Sequence, residues 1–203
     1  MRVVVKFGGT SVKDLERVKT AARNLVKLKN SGTEIAVVVS APGKMTNKLI
    51  QKGAIFSRNG LFSQDYLNLL SLGEKQSTYL MSMALNSLNV QSRSFTLDSP
   101  EWPLISEPSL NSEVAMSSGK ENDLIDIRID EEETTGRFRK FIEPVLRDGQ
   151  IPVISGFFIR DASGKIVTLG RGGSDITAFL VGKYLKADEV IIVTDVSGVY
   201  SGE

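Results

Sequence analysis

The chain has 203 residues, 25 Lys and Arg against 24 Asp and Glu, and neither Cys nor His. Lacking Cys, it has no disulfide scaffold, thiolate zinc site or cysteine nucleophile; lacking His, it has no Ser-His-Asp triad or imidazole pH switch. A net charge of +1 offers no basic surface for nucleic acid or an anionic membrane, and 41% hydrophobic with 24% charged residues is ordinary globular composition.

Val3-Val4-Val5, ahead of Gly8-Gly9, predicts a buried strand ending in a glycine turn. From Ser11 the period lengthens. Leu15, Val18, Ala22, Leu25 and Leu28 recur at helical spacing, and Ser31-Gly32 ends the helix. Ile35 to Val39 is a second buried strand, stopped by Ser40-Ala41-Pro42-Gly43. Strand, helix and strand make a βαβ unit with parallel strands and a right-handed crossover. Helices are expected over residues 46–57 and 64–88, the second carrying Met81, Met83 and Leu85, and a strand over 92–97. Residues 98–119, with Pro100, Pro103 and Pro108, read as a long irregular loop, and 124–129 alternate like a half-exposed strand.

Asp130-Glu131-Glu132-Glu133 opens a helix to about Arg147, its acidic start suited to the positive end of the helix dipole, and Pro144 is placed to kink it. Residues 151–155 form a strand. Residues 157–160 and 165–169 make a hairpin around Asp161-Ala162-Ser163-Gly164. Gly170-Arg171-Gly172-Gly173-Ser174-Asp175 leads into a helix over 176–185, and Val190-Ile191-Ile192-Val193 is the last strand. This alternation predicts an α/β protein: a three-layer αβα sandwich with a mostly parallel central sheet. Apolar runs of about five residues fall far short of the ~20 that span a bilayer, and the short apolar start is no signal peptide, so a cytoplasmic protein is expected.

Ligands of such sheets sit beyond the carboxyl ends of the strands. Four polar loops lie there: residues 6–11, 40–46, 170–175 and 194–200. In the first, glycines let a ligand approach the backbone and Lys6 adds a charge; a plain tight turn with Ser11 as helix cap fits equally well. In the third, Arg171 can grip a carboxylate bidentately and Asp175 can orient a lysine or hold a metal; the structural alternative makes Ser174 or Asp175 a helix cap. Glu74, in Ser71-Leu72-Gly73-Glu74, lies in an otherwise apolar helical stretch and by composition reads as part of an exposed helix face; Asp195 reads either as a ligand or metal contact or as a turn residue. Neither a P-loop nor a dinucleotide fingerprint occurs.

Taken together the motifs resemble the aspartate kinases of the amino-acid kinase superfamily. Lys6-Phe7-Gly8-Gly9-Thr10-Ser11-Val12 is similar to their opening signature, Thr168 to Asp175 to the second, and Val193 to Tyr200 to the third. Ser71-Leu72-Gly73-Glu74 resembles the helix with the substrate glutamate, and Ser40 with Thr46-Asn47 the loop after the second strand. The resemblance implies Mg-ATP-dependent phosphorylation of the L-aspartate side-chain carboxylate to 4-phospho-L-aspartate, the first step of lysine, threonine and methionine biosynthesis. With a pKa of ~3.9 that carboxylate is already ionised and needs no general base, so the absence of His is no obstacle.

By the same resemblance Lys6 stabilises the transferring phosphoryl group and Asp175 orients it. Gly8, Gly9, Ser11, Gly172 and Gly173 line the phosphate path. Ser40, Thr46, Glu74, Arg171 and Ser174 hold aspartate, with Arg171 on a carboxylate and Glu74 on the ammonium. Thr194, Asp195 and Tyr200 begin the nucleotide site. Magnesium is expected through ATP phosphates, with no protein metal site. Residues 1 to about 165 would be an aspartate-binding lobe and about 166–203 the start of a nucleotide lobe. Family members continue further, into regulatory ACT domains, so a C-terminally incomplete catalytic domain and a homo-oligomer are expected. The alternatives are a kinase of the glutamate or acetylglutamate type and a non-catalytic fragment that binds aspartate or assembles with a partner.

Overall fold

The computed structural model describes residues 1–56, 63–108, 127–170 and 172–194. β1 (Arg2–Phe7) leads through a 3-10 turn, Gly9–Val12, to α1 (Leu15–Asn30) and β2 (Glu34–Val39). α2 (Met45–Ala54), α3 (Gln64–Ser87), β3 (Ser92–Phe95) and the short β4 (Ile105–Ser106) follow. α4 (Glu131–Arg137), a π-helical turn over Phe138–Ile142 and α5 (Glu143–Arg147) run on without a break. β5 (Ile151–Ser155), β6 (Phe158–Asp161), β7 (Ile166–Thr168), α6 (Gly173–Leu185) and β8 (Glu189–Val193) complete the described elements.

Five strands form the central sheet in the order β3-β5-β2-β1-β8, with every neighbouring pair parallel. Side chains alternate across a strand, so each strand feeds two cores. Val3, Val5 and Phe7, with Ile35, Val37, Val39, Ile151 and Val153, pack under α1 and the second half of α3. Val4, Ala36, Val38 and Ile154 pack on the opposite face against α6 and the helical segment around Phe138 and Leu146. Helices thus cover both faces, as the strand–helix alternation predicts. Among the described residues no helix is long and apolar enough to cross a membrane.

The structure departs from the sequence reading at several points. The expected hairpin exists, but in a separate three-stranded sheet, β4-β6-β7, in which β6 and β7 are antiparallel. Its turn is held by Asp161, whose Oδ1 accepts from the backbone N–H of Ser163 and Lys165 and from the Ser163 hydroxyl. Where a strand is expected over 124–129, the described part shows a single antiparallel bridge from Ile129 to Ser106; residues 124–126 lie outside the described residues. Ser11 does not cap α1: the chain makes its 3-10 turn first, and Asp14 accepts from Arg17 N–H instead. Gly172, at φ 73°, precedes α6 in the cap position, ahead of Ser174 and Asp175. Leu15, which its spacing puts on the buried face, is exposed as the first residue of α1. Before Pro144 the helix widens into the π turn, a way to accommodate a residue that cannot donate and whose ring crowds the preceding turn.

Candidate functional site

Strand alternation decides where Lys6 points. It shares the face of Val4, on which α6 lies so close that a Cβ at Gly182 would come within 2.6 Å of Val190 and 4.0 Å of Val4. Lys6 is accordingly buried, and its Nζ lies 2.6 Å from Oδ1 of Asp175, in the first turn of α6. That oxygen is buried without an aligned hydrogen bond, so charge rather than directional bonding makes the contact. The Asp175 side chain is 42% exposed, and water screens the attraction in part. The pair leaves an ammonium fixed at the carboxyl end of β1, next to the glycine turn.

That turn interlocks with the loop after β2. Ser40 N–H donates to the Phe7 carbonyl at 3.1 Å and Gly43 N–H to the Gly9 carbonyl at 2.8 Å. A Cβ at Gly9 would sit 2.7 Å from the Ala41 carbonyl oxygen, which only glycine avoids. Gly8 N–H and the Ser11 hydroxyl both donate to the Val193 carbonyl, at 3.2 and 3.4 Å, tying the turn to the end of β8, where the exposed Thr194 follows.

Glu74 is buried inside α3 at 3% exposure. Its Oε1 accepts from Ala41 N–H at 3.2 Å, while Oε2 is buried without a partner. Loss of water pushes its carboxyl up to about 7, against the opposing pull of its own and the Ala41 backbone N–H. Gly73 permits the contact: a Cβ there would be 2.6 Å from the Ala41 Cβ. The exposed helix face expected from composition is thereby overturned, because α3 presses Glu74 against Ala41.

Ser174 is buried at the start of α6, against Gly156 at the end of β5, where an added Cβ would lie 2.7 Å from Ser174 Oγ and 3.0 Å from the Val39 carbonyl. Phe157 follows at φ +74°, a strained conformation for a large side chain. Thr177 Oγ1 accepts from its N–H at 3.1 Å, and its carbonyl accepts from Leu169 N–H at 2.9 Å. Gly173 packs against this residue, a Cβ there meeting the Phe157 ring at 2.8 Å, and its N–H donates to the Gly170 carbonyl. Ser40 and Thr46 are half-buried after β2 and in the first turn of α2. Arg171, Asp195 and Tyr200 lie outside the described residues.

The structure therefore brings Lys6 and Asp175 into contact, links Glu74 to the Ser40–Ala41 loop, and sets Ser174 against the ends of β2 and β5. Ala41, Gly156 and Phe157 were not legible as site residues from sequence. The one signal was a glycine directly after an apolar strand. Chemically the edge offers a fixed ammonium suited to anionic oxygen and a desolvated carboxylate with a free acceptor, suited to a cationic donor.

The amino acid kinase family model matches residues 1–203. The chain is 35% identical over 202 residues to an aspartokinase of Mycolicibacterium smegmatis, covering 99% of this chain and 43% of the relative. It is 33% identical over 199 residues to an aspartokinase of Bacillus sp. (strain MGA3), covering 98% and 43%. The chain thus spans less than half the length of these curated relatives. The crystal structure of aspartate kinase from Synechocystis superposes with a TM-score of 0.71 at 32% identity, over 96% of this chain and 28% of that one. E. coli aspartokinase III, solved in complex with aspartate and ADP, shares the fold at a TM-score of 0.75 and 24% identity, over 98% of this chain and 50% of that one. The family model runs the whole length of residues 1–203, and the chain belongs to the amino acid kinase family.

Proposed function

We propose that this chain is part of an aspartate kinase catalytic domain, its aspartate-binding lobe and the start of its nucleotide lobe, in a protein that transfers the γ-phosphoryl group of ATP to the L-aspartate side-chain carboxylate. The observation that carries the reading is Glu74, a buried carboxylate with an unpartnered oxygen on the edge that also holds the Lys6–Asp175 pair. Relatives named aspartokinase, 33–35% identical along almost all of the chain, support it.

In this reading Glu74 Oε2 accepts from the substrate ammonium, which replaces the missing partner and favours the ionised carboxylate. Arg171 pairs with a substrate carboxylate, and Ser40, Thr46 and Ser174 complete the aspartate pocket. The aspartate carboxylate oxygen attacks the γ-phosphorus and ADP leaves. Lys6, held by Asp175, sits where negative charge develops on the transferring oxygens, and a preorganised cation is worth most there. Gly8, Gly9, Ser11, Gly172 and Gly173 let the phosphates approach the backbone, and Thr194, Asp195 and Tyr200 begin the nucleotide side. Magnesium would come with the nucleotide, held by phosphate oxygens and water. Residues 1 to about 165 are read as the aspartate lobe and the remainder as the start of the nucleotide lobe; the remaining partners are further kinase and ACT segments and a second copy of the protein.

Trapping the acyl phosphate with hydroxylamine tests the reading. Hydroxamate should form with Mg-ATP and aspartate, and much less with glutamate or N-acetylglutamate. Product from either of those in preference to aspartate would overturn the substrate assignment.

A further inference from the structure

The side chain of Glu74 is fixed by the loop after β2, but its backbone is fixed by something else. Thr78, one turn further along α3 and fully buried, places Oγ1 2.8 Å from the Glu74 carbonyl oxygen and 2.8 Å from Ser155 Oγ. The proton assignment follows from chemistry. A carbonyl only accepts, so the single Thr78 hydroxyl proton goes to Glu74, and Ser155 donates its own to Thr78 Oγ1. Both hydroxyls are satisfied in a site without water access.

Ser155 is the last residue of β5 and faces the α3 layer with Ile151 and Val153. It pairs in register with Val39, the residue before Ser40. The next residue, Gly156, donates its N–H to the Val39 carbonyl and packs on Ser174. A continuous path therefore runs from the Glu74 backbone through Thr78 and Ser155 to the strand ends that carry Ser40 and Ser174. We infer that Thr78 and Ser155 are positioning residues for aspartate recognition: their hydroxyl pair locks the depth of Glu74 relative to the strand ends. The inference rests on the reading of Glu74 as the carboxylate that takes the substrate ammonium.

A second hydroxyl pair on the same helix supplies the control. Ser82 Oγ lies 2.8 Å from Ser92 Oγ and ties α3 to β3, one turn further from Glu74. Removing either pair loosens α3, but only the first should reach the site. In the protein that carries this chain, Thr78→Val should raise the aspartate KM by about tenfold, the size of one lost buried hydrogen bond. The ATP KM should not move, and Thr78→Ser should restore the wild-type value. Ser155→Ala keeps the Thr78–Glu74 bond, so it should act in the same direction more weakly; it carries the test if Thr78→Val folds poorly. Ser82→Ala should leave the aspartate KM unchanged.

A second readout does not need turnover. Exchange of the Ala41 amide hydrogen, bonded to Glu74, should accelerate in Thr78→Val and not in Ser82→Ala. Equal effects of the two variants on KM and on Ala41 exchange would overturn the inference. A wild-type protein with no aspartate-dependent product would instead refute the proposed function, and Ala41 exchange would still decide whether the latch exists.

Discussion

Replacing Glu74 by Gln should stabilise the ligand-free protein, and by an amount that grows with pH. A carboxyl that ionises near 4.5 when unfolded and at about 7 when buried holds its proton longer in the folded state. Between those values the folded state binds more protons than the unfolded one, so stability falls as pH rises. Below about pH 4.5 the burden is absent, and above about pH 7 it is fully felt. At about 1.4 kcal/mol per pH unit, the interval amounts to roughly 3 kcal/mol. Gln is neutral throughout and its amide oxygen can still accept from Ala41 N–H. Any cost of the unpartnered second atom is carried at every pH and cancels from the slope. The absence of His leaves little else to titrate across this range, and every group but Glu74 is common to both proteins. Urea unfolding of wild type and Glu74→Gln at pH 5, 6, 7 and 8 should show a gap that opens toward roughly 3 kcal/mol, or about 6–12 °C in Tm for a domain of this size. A gap that stays constant with pH, or closes as pH rises, would refute the burial argument for Glu74.

Other outcomes are expected from the proposed function and the geometry of Lys6, Gly73 and Glu74. Lys6→Ala should lower turnover by ~10²-fold or more with a smaller change in aspartate KM, by analogy with losing one preorganised donor; steady-state kinetics with both substrates checks it. Arg171→Lys keeps the charge but loses the planar fork, and should raise the aspartate KM strongly. Gly73→Ala must displace Ala41, whose Cβ lies 2.6 Å from the added methyl, and should cost about 1–3 kcal/mol in chemical unfolding while weakening aspartate binding. Aspartate binding near pH 6.5 should release protons as Glu74 ionises against the ammonium. Calorimetry in two buffers of different ionisation enthalpy would detect this, and Glu74→Gln should abolish it.

Periodicity and turn chemistry made the secondary elements legible. Val3-Val4-Val5 and Ile35 to Val39 are apolar on both faces and could only be central strands, and α1 shows its buried side in Val18, Ala22 and Leu25. Parallel topology then placed the strand ends at Lys6, Ser40 and Thr194 on one edge without any coordinate; the loop at Gly170 leaves β7 of the second sheet, which is antiparallel to β6, and Asp175 reaches that edge through α6. Local competition blurred the boundaries. Asp14 capped α1 in place of Ser11, and the widened turn before Pro144 leaves no periodic trace because a π turn shifts the register by one residue. Packing alone settled which polar groups lose water and which find each other. Nothing near Glu74 in the chain distinguishes a solvated helix carboxylate from one pressed against Ala41 with an empty acceptor. Lys6 and Asp175 meet because β1 and α6 pack face to face, and Thr78 meets Ser155 because β5 turns that residue toward α3. Patterning reports the average polarity of a face over several residues. Desolvation and pairing of a single group depend on atoms brought from distant parts of the chain, and those positions exist only once the sheet has closed.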